Sequence, residues 1–331
     1  MSRIGGGGLT RRGALALAGA LVACPGVVRG QMATHLRLGH GLPTTHPVHA
    51  AMQLFADQLR ERSGGAIETT IFPDGVIGQE VNLLSQAQAG KLDFVKASAS
   101  VLEAIGPSYR AFNLPFVFRD RAHWREITTN AVGERILAST ESKGLVGLTY
   151  YDAGSRSFYA RKPINHPDDL KGMKIRIQPS PTMHRMMQLF GAEGVALDWE
   201  HVYNALRTRL VDGAENSISA LIVGRHAEAV THYSFDEHTM VPDVFLVSAS
   251  RWATVTPAQQ GFVREVARAS YHRMNTLWET FQTDMQKRSE AAGVTFVYPD
   301  KAPFIARASA LKNEFAGDAE LMRTVDQIAR S

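Results

Sequence analysis

The arginine in the stretch GMKIRIQPS, residues 172–180, is the first candidate for chemistry. Apolar isoleucines alternate with polar residues from Lys174 to Gln178, and this period of two predicts a strand with one apolar and one polar face. If the polar face borders solvent, Arg176 is simply hydrated. If it borders a cleft, the guanidinium is free to bind an anion, and the spacing alone leaves both interpretations open.

Two other short stretches place polar groups beside glycine turns. DAGSR, residues 152–156, puts Arg156 directly after such a turn, and GAENS, residues 213–217, puts an acid and Asn216 after another. An arginine fork matches a carboxylate with two hydrogen bonds, and an asparagine amide donates to the same kind of group. Taken singly, arginines and Asx turns are most often structural.

Histidines offer the main alternative chemistry. His46 and His49 lie three residues apart at the start of a predicted helix and could share a metal ion, but we find no carboxylate spaced to complete the site. His226, His232 and His238 lie six apart, which places them on no common face. Solvated histidines are therefore the favoured interpretation, and a histidine-based metal-binding protein remains an alternative.

Motifs that would indicate an enzyme are missing from the sequence after residue 30. It holds no G-x-S-x-G elbow, no phosphate-binding loop and no G-x-G-x-x-G fingerprint. No spacing indicates a Ser-His-Asp triad, and the members of such a triad are brought together only by the fold. We predict that the protein is not an enzyme and uses no cofactor, and a periplasmic enzyme acting on organic acids is kept as the rival.

The first 30 residues resemble an export signal. An apolar run at 14–23 is too short to span a bilayer and suits a signal peptide, and the pair of arginines at 11–12 leaves export by the Sec or the twin-arginine route open. Cleavage near 28–30 would release a soluble periplasmic protein. A lipobox-like LVAC would instead leave the protein anchored through a lipid on Cys24.

The leader also explains the basic balance of the chain. It contributes four arginines and no acid, so the rest of the protein has 32 basic and 32 acidic residues and is formally neutral. The sequence pI near 9.2 is therefore no evidence for nucleic-acid binding. Cys24 is the only cysteine, so the protein beyond the leader has neither disulfides nor thiol chemistry.

Alternating strands and helices must position these candidates. The segment from 35 to 100 has a strand, a helix starting at Pro47, a second strand, a helix over about 79–89 and a third strand. This order predicts an α/β fold with a mostly parallel sheet, in which ligands bind beyond the carboxyl ends of the strands. A length of 331 residues favours two lobes over one.

Two helices in the second half add detail. WEHVYNALRTRL, residues 199–210, predicts a helix in which Val202, Leu206 and Leu210 share one face. Residues 256–293 predict a much longer helix, with Thr256 as N-cap and an apolar stripe. At 1.5 Å per residue it is roughly 55 Å long, more than a lobe of about 30–40 Å, so we expect it to lie across both lobes.

Together and in order, these stretches resemble the DctP family, the solute-binding proteins of tripartite ATP-independent periplasmic (TRAP) transporters. The resemblance covers nearly all of the chain after the leader, and its most specific stretches are NLPFVFRD, DAGSR, DDLKGMKIRIQPSP and DWEHVYNALRTRLVDGAENSIS. It implies a two-lobed, Venus-flytrap α/β fold with a long helix spanning both lobes. The implied lobes are 34–153 with about 242–281, and 154–241 with about 282–331.

The resemblance also assigns roles to individual residues. Arg176 stands where the family clamps a ligand carboxylate, Arg156 stands where an arginine supports it, and Asn216 stands where an amide donates to it. Trp199 matches an aromatic residue that covers the ligand, although a lone tryptophan is more often core. Weaker candidates at the cleft edge are Tyr151 and His40.

The implied function is capture of a small organic acid and its delivery to the membrane subunits of a transporter. Most of the family act as monomers, which is also the expectation for this chain, although the long helix could support a dimer. His201, Ser217 and Asp198 depart from the family pattern near the pocket. The strand end KASAS, residues 96–100, offers hydroxyls but no clear acid for a polyhydroxylated ligand. The ligand class therefore stays open among dicarboxylates, 2-oxo or 2-hydroxy acids, sugar acids and aromatic acids.

Overall fold

The computed structural model describes residues 34–331, so the proposed signal peptide (1–30) and Cys24 lie outside the described residues. Eleven strands are found in this part of the chain: β1 Thr34–Gly39, β2 Ile67–Phe72, β3 Phe94–Ser98, β4 Leu145–Tyr151, β5 Arg156–Ala160, β6 Lys174–Ile177, β7 Glu193–Ala196, β8 Gly213–Asn216, β9 His232–Thr239, β10 Asp243–Ser248 and β11 Thr295–Val297.

Helices connect and cover these strands, and the long one predicted after residue 256 is among them. Their bounds are α1 Pro47–Arg62, α2 Glu80–Gln88, α3 Ala99–Leu102, α4 Arg110–Asn113, α5 Arg121–Thr129, α6 Ala131–Ala138, α7 Pro181–Leu189, α8 Trp199–Arg207, α9 Ser219–Val223, α10 Ala249–Trp252, α11 Pro257–Ala291, α12 Ala302–Glu314 and α13 Ala319–Arg330.

The strands form two sheets. Sheet I has the order β2-β1-β3-β10-β4, and sheet II has the order β11-β9-β5-β8-β6-β7. Strand β10 runs antiparallel to both of its neighbours, and so does β5, while the other ladders are parallel. Four of the five strands of sheet I and five of the six strands of sheet II therefore run in one direction, which confirms the prediction of mostly parallel sheets; β10 is the exception in sheet I because it enters after the chain returns from sheet II.

The α/β architecture is two-lobed, as predicted. Every strand of sheet I lies within 34–153 or 242–281, and every strand of sheet II lies within 154–241 or 282–331. The chain passes between the sheets after β4, after β9 and through α11. Helix α13 nevertheless packs against α4 and α6, on the side of the first sheet. The residue-level division into lobes therefore remains a prediction.

Helix α11 begins where its capping residues predict and crosses from one half of the molecule to the other. The Thr256 side chain accepts from the Gln259 N–H, and the Gln259 side chain accepts from the Thr256 N–H, which forms a capping box. Its 35 residues give a length of about 52 Å. Met274 and Trp278 join the core beside α1, whereas Met285 joins the core around α9, so the expected spanning position is confirmed.

Helix α8 is shorter than its apolar pattern indicated. It ends at Arg207, and Arg209 takes a left-handed backbone conformation with φ 62°. The turn brings the Asp212 N–H to the Lys174 carbonyl at 2.8 Å and so starts β8 beside β6. Leu210 is 56% exposed as a result, and the prediction that it shares the buried face of Val202 was wrong.

Candidate functional site

A polar cleft lies where strands of both sheets end. Residues just beyond the carboxyl ends of β1, β3, β6 and β8 line it, as expected for an α/β fold. Its volume of ≈ 90 Å³ is room for several waters or one small molecule, since a water needs roughly 10–15 Å³ by this measure. Its polar or aromatic lining residues are His46, Gln79, Glu80, Lys96, Ser98, Arg156, Arg176, Gln178, Asp198, Trp199, Asn216, Ser217, Ser219, Asp243 and Trp278.

Arg176 is the buried cation of this cleft. Strand β6 is paired on both sides, which holds Arg176 at 2% exposure. Its Nε and Nη2 both donate to the carbonyl of Leu197, at 2.9 and 2.6 Å. Its Nη1 is buried and has no hydrogen-bond partner among residues 34–331. Burial, helped by the charge of Arg156, lowers the pKa of Arg176 below its ordinary value, so an anion would be stabilised here.

Arg156 lines the same cleft but is already paired. Its Nε and Nη2 donate to the two carboxylate oxygens of Glu215, at 2.5 and 2.8 Å, and all of these groups are buried. Its Nη1 donates to the side-chain oxygen of Asn216 at 3.1 Å. The guanidinium therefore supports the side chain of Asn216, and the Glu215 carboxylate offsets its positive charge.

The Glu215 carboxylate belongs to a longer buried chain of charges. His238 Nε2 lies 3.5 Å from Glu215, and His238 Nδ1 lies 2.7 Å from Asp236. Although burial opposes the charged form, Asp236 and Glu215 raise the pKa of His238 to about 9. Burial likewise disfavours the Glu215 carboxylate, yet Arg156 and His238 lower its pKa to about 2. Two cations thus balance two anions.

Asn216 has a fixed orientation at the end of β8. Its side-chain oxygen accepts from Arg156 and from the Ser217 N–H, the latter at 2.8 Å. Both contacts require the oxygen to face the protein, so the amide NH₂ is left to donate toward the cleft. The side chain is half-buried, as a ligand contact should be. The structure thus brings Arg176, Arg156 and Asn216 together, as the sequence predicted.

Trp199 opens helix α8 at the cleft wall. The residue is half-buried and lines the cleft, and its ring lies 5.2 Å from the ring of His226 at a tilt of 50°. His226 Nδ1 is 2.8 Å from the Tyr159 hydroxyl. Burial, with the Arg176 charge, lowers the pKa of His226 to about 3, so a neutral imidazole supports the indole. This position suits a residue that covers a ligand.

The two weaker candidates lie elsewhere. Tyr151 is fully buried, and its hydroxyl is 2.8 Å from the Ser270 hydroxyl on α11. His40 is also fully buried, with its Nε2 3.1 Å from His49 and its Nδ1 accepting from the Leu42 N–H. Neither residue is among those lining the cleft. The turn that follows His40 does line the cleft, through Gly41 and Leu42, whereas the His40 side chain does not.

Sequence reasoning missed a buried lysine held between two acids. Lys96 donates to Glu80 at 2.6 Å and to Asp243 at 3.0 Å, and Glu80 also accepts from the Ser98 N–H. All three line the cleft. The stretch KASAS itself holds no acid, as its sequence shows, but the fold brings Glu80 and Asp243 to it from elsewhere in the chain. Lys96 within an apolar strand was the available signal. Its partners lie 16 and 147 positions away, which no local spacing reveals.

Hydrogen bonds join the two sides of the cleft. Gln79, before α2, donates to Glu200 on α8 at 2.8 Å, and Ser98, at the end of β3, donates to Gln178, after β6, at 3.2 Å. Each pair links the half containing sheet I to the half containing sheet II. These contacts can form only when the two sides approach each other, so they depend on cleft closure.

Metal clusters and membrane-spanning helices are the other features that residues 34–331 could hold. In this part of the chain no group of three or more His, Cys, Asp and Glu side chains is arranged to hold a metal ion. No helix there is both long and apolar enough to cross a membrane. The cleft is therefore the candidate site that the described residues best support.

Comparison with known proteins places the fold and the cleft in a family. The family model for bacterial extracellular solute-binding protein, family 7 (DctP), matches residues 38–318. The uncharacterized protein YiiZ of Salmonella typhimurium is 35% identical over 277 residues, covering 82% of this chain and 84% of that one.

Solved structures agree with this match. A TRAP periplasmic solute-binding protein from Bradyrhizobium, in complex with D-galacturonate, is 37% identical with a TM-score of 0.88, over 90% of this chain and 100% of that one. One from Pseudomonas putida F1, with bound D-glucuronate, is 33% identical with a TM-score of 0.86, over 88% and 97%. The chain belongs to the DctP family of TRAP-transporter solute-binding proteins.

Proposed function

We propose that this protein captures a hexuronate, such as D-galacturonate or D-glucuronate, in the periplasm and delivers it to the membrane subunits of a TRAP transporter. Both solved relatives described above hold a uronate. A uronate has one carboxylate and several hydroxyls. The cleft offers a matching arrangement, with a cationic end and a wall rich in hydrogen-bond acceptors, and it acts as a binding site without chemistry on the ligand.

The carboxylate end is the part of the proposal on which the rest depends. The single observation that carries it is the buried, unpartnered Nη1 of Arg176 in the cleft. A buried donor without an acceptor is costly, and a carboxylate oxygen would satisfy it with a charge-assisted bond. The amide NH₂ of Asn216 is free to donate to the same carboxylate, while Arg156 supports that amide.

The hydroxyl-binding wall narrows the ligand class. Lys96, Glu80 and Asp243 form a cluster with one positive and two negative groups, so its formal charge is minus one. Burial and the Glu80 charge raise the pKa of Asp243. Carboxylate oxygens accept from sugar hydroxyls but repel a second carboxylate. We therefore expect sugar acids with one carboxylate to bind, and dicarboxylates of the same length to be rejected.

A thermal-shift screen followed by calorimetry tests this proposal. D-galacturonate and D-glucuronate should raise the melting temperature, since ligand at 100 times Kd stabilises by about 2.7 kcal/mol. Galactarate, which replaces the far end of galacturonate by a carboxylate, is the matched control and should bind at least tenfold more weakly. If succinate or galactarate bound and the uronates did not, the proposed ligand class would be wrong.

The rival functions are tested directly. Recovering the uronate unchanged after incubation with the protein would count against an enzyme acting on the same acids. Metal analysis of purified protein addresses the histidine alternative, which no cluster in residues 34–331 supports.

Export is part of the same proposal. We expect the leader to be removed and the protein to be released as a soluble periplasmic monomer. Mass spectrometry of the mature N-terminus distinguishes cleavage near residues 28–30 from a lipidated Cys24, and deletion of the Tat translocase tests the twin-arginine route. Gel filtration with light scattering measures whether the long helix supports a dimer.

A further inference from the structure

Trp278 lies on α11, the helix shared by both halves, and contributes to the cleft lining. It is 1% exposed and belongs to the core that includes Phe55 and Met274. It therefore belongs to the apolar stripe that the sequence predicts for this long helix. Apolar packing explains the ring of Trp278 but not its indole N–H, which is a hydrogen-bond donor and needs an acceptor.

The indole N–H of Trp278 is buried and has no hydrogen-bond partner among residues 34–331. Buried tryptophan N–H groups usually find an acceptor, since an unmade hydrogen bond costs about 1–3 kcal/mol. Ten described side-chain atoms are orphaned in this way, and only those of Arg176 and Trp278 belong to residues that line the cleft. The coincidence of an unpaired donor with a position on the cleft wall therefore singles out Trp278, in addition to Arg176.

The surroundings of the ring place its N–H edge near the floor of the cleft. Atom Cζ2, on the same edge as Nε1, lies 3.3 Å from where a Cβ on Gly154 would stand. Gly154 lies between two cleft-lining residues, Ala153 and Arg156, in the segment that crosses from sheet I to sheet II. The indole edge therefore faces the point where the two halves meet.

A second N–H donor lies close to the indole ring. The His46 ring is 5.7 Å from the Trp278 ring and also lines the cleft. His46 Nδ1 accepts from the Val48 N–H at 3.2 Å, so a neutral ring carries its proton on Nε2. Burial lowers the pKa of His46 to about 3, which keeps the ring neutral. Two uncharged donors thus share one wall, and such donors suit a hydroxyl or ring oxygen.

We propose that the indole N–H of Trp278, which has no acceptor among residues 34–331, donates a hydrogen bond to an oxygen of the bound sugar acid. Helix α11 would then contact the ligand directly as well as joining the two halves. This inference rests on the proposed function, because it needs an oxygen-rich ligand in the cleft.

Calorimetry with a matched pair of variants tests the inference. Trp278→Phe keeps an aromatic ring and removes the N–H, and D-galacturonate or D-glucuronate should bind about 5- to 50-fold more weakly, as expected for a lost buried hydrogen bond. Trp124→Phe is the control, since Trp124 is also buried with an orphaned N–H but does not line the cleft. It should bind within about twofold of wild type.

Indole NMR supplies a readout that needs no folded variant at position 278. The protein has four tryptophans, and Trp→Phe substitutions at 124, 199 and 252 assign the fourth ¹⁵N-indole signal by elimination. Saturating uronate should move the Trp278 N–H proton downfield and leave the Trp124 signal unchanged. An unmoved Trp278 signal, or wild-type affinity in a folded Trp278→Phe variant, would overturn the inference. If wild type bound no uronate, the proposed function would fail instead.

Discussion

The guanidinium of Arg176 divides its donors between the protein and the cleft. Two nitrogens grip one backbone carbonyl, which fixes the plane of the group, and the third is left buried without a partner among the described residues. A side chain fixed in this way loses little conformational freedom on binding, so more of the interaction energy appears as affinity.

Arg176 substitutions should therefore weaken ligand binding strongly. Arg176→Ala should cost at least about 2–4 kcal/mol, from loss of a desolvated charge-assisted pair. Arg176→Lys should also bind poorly, since an ammonium lacks the planar fork. Lys174→Ala, on the exposed side of the same strand, is the control and should bind normally. Near-native uronate affinity of either Arg176 variant by calorimetry would contradict the assignment.

Because of His238, the free energy of unfolding should fall as the pH rises into the alkaline range. Its pKa of about 9 in the folded protein lies above the ordinary value of 6.5. Its stabilising contribution is therefore complete below pH 6.5 and is lost as the pH rises through 9. The charged groups that face it are Asp236, Glu215 and, through Glu215, Arg156.

Urea unfolding between pH 6.5 and 9.5 measures this effect. The free energy of unfolding of wild type should fall across the range, and His238→Gln should be less stable at pH 6.5 with a flatter pH profile. Parallel profiles for the two proteins would show that His238 is not the titrating group.

Whether a site residue could be predicted from the sequence depends on how far apart in the chain it and its partners lie. Arg176 and Asn216 were found because each lies beside a turn or strand end that can be read locally. Glu80 and Asp243 were not, because only pairing of β3 with β10 and the approach of α2 bring them to Lys96. Arg156 also lines the cleft, yet its ion pair with Glu215 could not be foreseen from either residue.

At the scale of elements, strong local signals gave correct helices and strands. The start of α1 at Pro47, the N-cap of α11 and the alternation in β6 all predicted elements that the structure contains. Departures from the local pattern arose where tertiary pairing overrides it. Strand β10 alone runs against the other strands of sheet I because of where the chain re-enters that sheet, and α8 ends earlier than predicted because Asp212 pairs with Lys174.

The crossing at Gly154 should be sensitive to any side chain. Gly154 has φ 79°, and a Cβ there would lie 3.1 Å from the Cβ of Ser217 and 3.3 Å from Cζ2 of the buried Trp278, neither of which can move away easily, while the flexible end of Gln282 at 2.7 Å can. Gly154→Ala should therefore destabilise by about 2–3 kcal/mol, from backbone strain plus crowding. Gly172→Ala is a matched control, since Gly172 has φ 73° with open space around it, and should cost only about 1 kcal/mol. Equal losses in urea unfolding would remove the crowding argument.

At the scale of the whole molecule, the cleft is held by contacts that cross it. Glu200 accepts from Gln79 across the opening and does not itself line the cleft. Because the bond is exposed, its net contribution should be about 0.5–1 kcal/mol. Glu200→Ala should thus speed uronate release about two- to fivefold.

Stopped-flow dissociation measures that change. Glu290→Ala removes an exposed glutamate of α11 that does not line the cleft and should leave the release rate unchanged. An unchanged rate for Glu200→Ala would mean that this bond does not help to keep the cleft closed.

The position of α13 has a consequence for how the chain matures. Leu321, Val325 and Ile328 of this helix complete the core that contains Phe112 of α4 and Ile136 of α6. A ribosome adding roughly 5–20 residues per second reaches residue 328 about 10–40 s after residue 136. The nascent polypeptide thus lacks part of this core until residue 328 has been added, so α4 and α6 cannot complete their packing before α13 is synthesised.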